Sequence, residues 1–111
     1  MKKNIIIDIF NRSFRDYPLV IRNLTPVIIN KMVEFKIDIQ DLSLLETISV
    51  SELDEIIEKI RMDNQYLCQN EDLQNLKNPK IVDEFIENFF KEIHNSIDLV
   101  YNLIISKQLG G

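Results

Sequence analysis

Residues 78–107 have the sequence NPKIVDEFIENFFKEIHNSIDLVYNLIISK, and this stretch decides the fold class. Asn78 is suited to accept hydrogen bonds from the first free N–H groups of a helix, and Pro79 suits the first helical position, where no N–H is needed. Asp83 and Glu87 follow in the early turns, where the helix dipole favours negative charge. The stretch therefore has the start of a well-capped helix.

Apolar residues recur through this helix at spacings of three and four, and no Gly or Pro interrupts them. They are Val82, Phe85, Ile86, Phe89, Phe90, Ile93, Ile97, Val100, Tyr101, Ile104 and Ile105. A helix over 78–107 extends about 45 Å. Its apolar stripe cannot be buried alone, so it requires other helices of this chain, a second copy, or a different protein.

The composition is that of one folded helical domain. With 111 residues, the chain is expected to form a single helical domain over 1–111. Apolar residues make up 45% and charged residues 28%, which argues against disorder. Only two glycines and three prolines occur, which disfavours an all-β fold with many tight turns.

The first part of the chain predicts two further helices. Apolar residues on one side favour a first helix over 3–15. Tyr17 precedes a proline and is therefore disfavoured in a helix, so the first helix should end before it and a second helix should start at Pro18. Thr25-Pro26 then marks either a fresh start or a kink, and the pair suits a fresh start because Thr25 is a good N-cap.

The middle of the chain is harder to interpret. Residues 36–50 begin with strand-like alternation, but a lone strand has no partner, so we expect an extended connection with a short turn over 42–46 capped by Asp41. Ser49 or Ser51 provides a capping signal for a helix that ends near residue 70. The fold class predicted is therefore all-α, a small bundle of four to five helices with a long C-terminal helix.

The charge is uneven along the chain. Residues 1–36 carry seven basic and three acidic groups (net +4), residues 37–76 carry two and ten (net −8), and residues 77–111 carry four and five (net −1), for a total of −5. The acidic middle argues against nucleic acid as a partner on that face. The basic start would contact either an acidic partner or the acidic middle of the same chain, and we favour the internal pairing.

The residues suited to catalysis or metal binding are few. His94 is the only histidine, and we expect it on the surface beside a carboxylate, since Asp98 and Glu87 share its helical face. The Glu-x-x-His pattern of di-iron bundles is absent. Cys68, the only cysteine, is expected to be a small apolar residue, and there is no Gly-rich phosphate loop. We therefore predict no catalytic, cofactor-binding or metal-binding residues, and no enzyme.

The partner-binding candidates come from an acidic helix face over 52–58 and from aromatic and aliphatic residues that widen the C-terminal stripe. They are Glu52, Glu55, Glu58, Phe90, Ile97 and Tyr101. The competing interpretation is that the acidic face only solvates its helix and that the apolar residues belong to the core of a central bundle helix.

These observations predict a small acidic binding protein that acts by protein–protein contact, such as an adaptor, chaperone, antitoxin- or immunity-like protein or inhibitor. The partner would be another protein or a second copy, without membrane insertion, because no apolar run is long enough. A lone cysteine favours the cytoplasm. The alternatives are a peptide-precursor leader that ends in a cleavage signal at Gly110-Gly111, and a structural subunit stable only as an oligomer. Gly110-Gly111 is otherwise a helix cap with a frayed tail.

Overall fold

The computed structural model describes residues 4–109 and contains, over that range, six α-helices and no strand. The helices are α1 (Asn4–Ser13), α2 (Pro18–Glu34), α3 (Ile39–Glu46), α4 (Val50–Cys68), α5 (Glu71–Asn75) and α6 (Pro79–Leu109). The all-α fold with a long C-terminal helix is thus confirmed. The described residues form six helices rather than four or five, because residues 39–46 and 71–75 each form a short helix that the sequence did not predict. None of the helices in the described part is long and apolar enough to span a bilayer.

Helix α6 is the longest element, with 31 residues. Its start is capped as predicted, since the Asn78 side chain accepts a hydrogen bond from the Lys80 N–H at 3.0 Å. Helix α6 packs against α3, α4 and α5, while α1 packs against α2, α3 and α4. Helix α4 therefore packs against both α1 and α6.

Buried phenylalanine rings join α1 to α6 at the centre of the core. Phe10 meets Phe89 edge to face, with ring centroids 5.5 Å apart, and Phe14 lies 4.9 Å from Phe85. All four rings are shielded from solvent. Such tilted and edge-to-face arrangements are the favoured geometry of aromatic pairs. The stripe seen in the sequence of α6 is therefore core over its first half.

Helix α2 runs unbroken through Pro26, so the expected fresh start at Thr25 is wrong. The Thr25 hydroxyl does not cap a new helix but donates to the Ile21 carbonyl, 2.6 Å away and one turn earlier. Leu24 and Ile28, on either side of the proline, are both fully buried. Burial of these two side chains keeps the helix continuous although proline supplies no N–H for the Arg22 carbonyl.

Replacing Pro26 by alanine is expected to raise the free energy of unfolding by about 2 kcal/mol. Alanine restores the missing backbone hydrogen bond and removes a ring clash worth about 3 kcal/mol, while the unfolded chain gains back up to about 1 kcal/mol of conformational freedom. Pro26 is exposed, so no packing is lost. Urea denaturation of the two proteins measures the difference, and an unchanged or lower midpoint for Pro26→Ala would contradict the assignment of Pro26 to a helix interior.

Within the stretch 36–50, residues Ile39–Glu46 form a helix, where an extended connection and a short turn over 42–46 were expected. Asp38, and not Asp41, is the N-cap of α3, and the two residues form a reciprocal capping box: each side chain accepts the other's backbone N–H, at 2.9 and 3.0 Å. Lys36 ends α2 with a positive φ of 60°. The strand-like alternation is misleading, since Ile37 is buried whereas Ile39 is exposed, so the two isoleucines do not share a face as they would in a strand.

Helices α4 and α5 begin with side-chain caps. The Ser49 side chain accepts the Glu52 N–H at 3.2 Å, so the first of the two predicted capping signals is the one used. Asn70 caps α5, and the fully buried Leu73 fastens that short helix to the core. Helix α5 contacts α2, α4 and α6, so it closes one end of the bundle.

Candidate functional site

A groove runs between the first half of α4 and the second half of α6. One part has a volume of about 290 Å³, and a second part of about 400 Å³ shares several of its lining residues. Its apolar surface consists of Ile48, Ile56, Leu99, Val100 and Leu103. We call this surface, together with Glu52 and Glu55, the α4–α6 groove. The rest of the described chain leaves part of this surface uncovered: Leu99 is 58% and Leu103 47% exposed, whereas Val100 is buried.

Helix α6 is longer than any helix that packs against it, and the groove lies near its C-terminal end. Helix α4 has 19 residues, so it extends about 28 Å, against about 46 Å for the 31 residues of α6. The chain is correspondingly elongated, with principal extents of 52 × 25 × 23 Å. Short helices cannot cover the whole apolar surface of a longer one, so the last turns of α6 keep apolar side chains in contact with solvent.

The rim of the groove carries an uneven charge. Glu52 and Glu55 line the α4 side, and neither has an ion-pair partner among the described residues. At one end Lys59 is already paired with Glu92, at 3.5 Å. Lys107 lies at the opposite end. The α4 wall is therefore left with two uncompensated negative charges beside an apolar floor.

The three acidic candidates do not form one surface. Successive positions i and i+3 on a helix are rotated by about 60°, so Glu58 lies about 120° around α4 from Glu52. The structure places Glu58 beside Arg12, Arg15 and Arg61, on the side of α4 that faces α1. Only two of the three acids therefore belong to the groove.

Part of the acidic middle is used inside the chain, as the favoured interpretation of the charge pattern expects. Arg12 pairs with Asp54, joining α1 to α4. A second pair has the opposite polarity, because Arg61 of α4 binds Asp16, at 2.8 Å. Both pairs are exposed, and exposed pairs contribute at most about 1 kcal/mol. They orient α1 on α4 more than they stabilise the fold.

The apolar candidates require a correction. Phe90 is 0% and Ile97 6% exposed, so they are core residues and offer no surface to a partner. Phe90 is covered by Phe35, whose ring stacks on it with centroids 4.6 Å apart and planes 9° from parallel. Tyr101 is 55% exposed but does not line the groove, because it lies about 200° around α6 from Leu99.

The sequence interpretation missed Leu99 and Leu103, which are the exposed apolar residues of the groove. Both lie outside the main stripe of α6, and they are four residues apart, so they share a face. The sequence signal for this surface is a pair of leucines that lies to one side of an apolar stripe which is already complete.

His94 is half-buried and ties α6 to α2. Its Nε2 lies 2.7 Å from the backbone oxygen of Phe35, at the end of α2. A carbonyl oxygen only accepts, so Nε2 is the nitrogen that carries the proton. The expectation of a surface histidine beside a carboxylate is therefore wrong. Across the described part of the chain, no three His, Cys, Asp or Glu residues are grouped so that they could hold a metal ion.

Cys68 is fully buried at the end of α4. Burial raises the pKa of its thiol to about 12, because the interior disfavours the charged thiolate. The thiol is therefore protonated at neutral pH, which is the environment of an inert buried cysteine rather than of a nucleophile.

Similarity to known proteins does not assign a role to the groove. The chain matches no protein-family model, no curated protein and no solved structure. Gly110 and Gly111, considered above as a cleavage signal or cap, lie outside the described residues. A function is therefore argued from the groove itself, which combines an open apolar floor with one acidic wall.

Proposed function

We propose that this chain is a small, acidic, non-enzymatic binding protein that acts by protein–protein contact through the α4–α6 groove. The observation that carries the proposal is the exposure of Leu99 and Leu103 beside the apolar floor. Burying a leucine completely is worth about 1.5–3 kcal/mol, so a partner that covers both side chains gains a substantial part of its binding energy from them. The mechanism is steric and electrostatic, as for an adaptor, chaperone, antitoxin- or immunity-like protein or inhibitor.

The other reactive side chains support a role without catalysis. Cys68 is buried and protonated, and the only histidine is engaged by a backbone carbonyl. A nucleophile needs an adjacent base, and neither side chain offers that arrangement. A free, buried thiol also suits a reducing compartment such as the cytoplasm. Phosphate groups would be repelled by the two free carboxylates, so the proposed partner is a protein and not a nucleic acid.

A helical-peptide library displayed on phage tests the proposed function. Peptides selected on the wild-type protein are expected to bind Leu99→Ser/Leu103→Ser at least about tenfold more weakly, because the double change removes two apolar contacts worth about 0.7 kcal/mol or more each. Binding is measured by fluorescence anisotropy with synthetic copies of the selected peptides.

The matched control is Ile29→Ser/Val33→Ser. It makes the same kind of change at two exposed apolar positions four residues apart on α2, away from the groove. This control should bind the peptides as the wild type does, with circular dichroism confirming that both variants are folded. Selection of no peptide, or equal losses in the two double variants, would contradict the proposed function.

A further inference from the structure

We infer that the partner segment is an amphipathic helix with basic residues along the edge of its apolar stripe that faces α4. The inference rests on the proposed function, since it specifies what occupies the same groove. It follows from three properties of the groove: the backbone chemistry of its walls, its length, and its charge.

The walls of the groove favour a helix as the occupant. The two long walls are α4 and α6, whose interior backbone N–H and C=O groups are already bonded within each helix, and the α3–α4 connection at residues 47–49 closes one end. An extended peptide needs an exposed strand edge to satisfy its own backbone, and the groove offers none. A helix satisfies its backbone internally and presents only side chains, so it can bury apolar residues against Leu99 and Leu103 without unpaired polar groups.

The groove has the length of a short recognition helix. Along α6 it extends from Glu92 to Lys107, which corresponds to about 22 Å. A partner helix of about 15 residues has this length and presents apolar residues at three or four successive positions on one face. Leu99 and Leu103 lie near the middle of that span, where anchoring contacts are best shielded from water.

The charge of the groove selects a basic partner. Glu52 and Glu55 stand free on the α4 wall, Lys59 is already engaged by Glu92, and Lys107 lies on α6 at the far end of the groove. Lysine or arginine on the facing edge of the partner would complement both free acids. A second copy of this chain is a poorer occupant, because groove-to-groove packing brings two acidic walls together and like charges in an interface are unfavourable.

Two synthetic 18-residue peptides with blocked ends test the inference. Both peptides have the same stripe of leucines along one helical face. The positions next to one edge of this stripe are lysine in the first peptide and glutamate in the second. Dissociation constants are measured by fluorescence anisotropy at 0.05 and 0.5 M NaCl. At low salt the lysine peptide is expected to bind about tenfold more tightly, since two exposed ion pairs of about 0.7 kcal/mol each add up to that ratio. At high salt the ratio should fall to about threefold or less, because salt screens exposed charges.

Substitutions in the α4 wall assign the preference to the two acids. In Glu52→Gln/Glu55→Gln the two peptides should bind within about twofold of each other. Asp83→Asn/Glu87→Gln is the matched control: it removes the same charge from two exposed positions in the first half of α6, outside the groove. This control should retain the tenfold preference, which separates local pairing from an effect of net charge.

The outcomes distinguish the partner's chemistry from the role of the groove. Equal binding of both peptides, lost in both cases by Leu99→Ser/Leu103→Ser, overturns the basic partner but leaves the proposed function standing. No binding of either peptide, with a dimer in sedimentation velocity that Leu99→Ser/Leu103→Ser dissociates, assigns the groove to a second copy and overturns the inference. No binding by a monomer overturns both proposals.

Discussion

Phe89→Ala is expected to lower the free energy of unfolding by about 3–5 kcal/mol. Phe89 is fully buried and lies at the meeting point of α1 and α6. Its ring is 5.5 Å from that of Phe10, 6.2 Å from that of Phe14 and 5.2 Å from that of Phe90. Alanine would leave a cavity among these rings and remove several edge-to-face contacts at once.

Chemical denaturation followed by circular dichroism measures this effect. A domain has a total stability of about 5–15 kcal/mol, so the alanine variant is expected to lose a large fraction of it and to melt at least about 10 °C lower. Phe89→Leu serves as the milder companion: it keeps most of the volume and should cost clearly less than alanine. An alanine variant that melts within about 2 °C of the wild type would mean that Phe89 is not at the centre of the core.

The second large effect is expected for Phe90→Ala, at about 3–4 kcal/mol, whereas Tyr101→Ala should cost less than about 0.5 kcal/mol. The sequence places both residues in the same widened stripe, but only Phe90 is buried. Phe90 also supports the end of α2 through its stacked contact with Phe35. Urea midpoints of the two variants provide the comparison, and similar losses for both would contradict the assignment of Phe90 to the core.

A double-mutant cycle isolates the ring contact itself. Phe35→Leu and Phe90→Leu, alone and together, are expected to show a coupling of about 0.5–1.5 kcal/mol, which is the usual contribution of an aromatic pair beyond area burial. Strictly additive effects would show that Phe35 and Phe90 are neighbours without a specific stacking interaction.

Much of the secondary structure was predictable because its signals are local. The start of α6 follows from Asn78 and Pro79, and that of α4 from Ser49, since a cap satisfies N–H groups only two or three residues away. Helix α3 was misread because Asp38, its true cap, lies within a strand-like alternation. The capping box formed with Asp41 outweighs that alternation.

The candidate site was predictable only in part. Glu52 and Glu55 were identified from the acidic face of α4, but Glu58, on the same helix, lies beside Arg12 of α1 and Arg15, which follows α1. Helical geometry fixes the angles between these three glutamates around α4. Which of them faces α1 and which faces α6 depends on where those two helices pack. The leucines of the groove were missed for the same reason, since exposure is not a property of a single helix.

By itself, the sequence determined that this chain is helical, where its longest helix starts and which residues are apolar, because caps and the 3.6-residue repeat act within a few positions. Only the tertiary structure decided that α2 continues through Pro26, that Phe90 and Ile97 are core, and that Leu99 and Leu103 are open to solvent. These outcomes depend on how far each helix reaches along its neighbour, and therefore on contacts between residues distant in the chain. The stripe on α6 shows that apolar surface must be covered, whereas the packing of α3, α4 and α5 against α6 decides which of its side chains are covered.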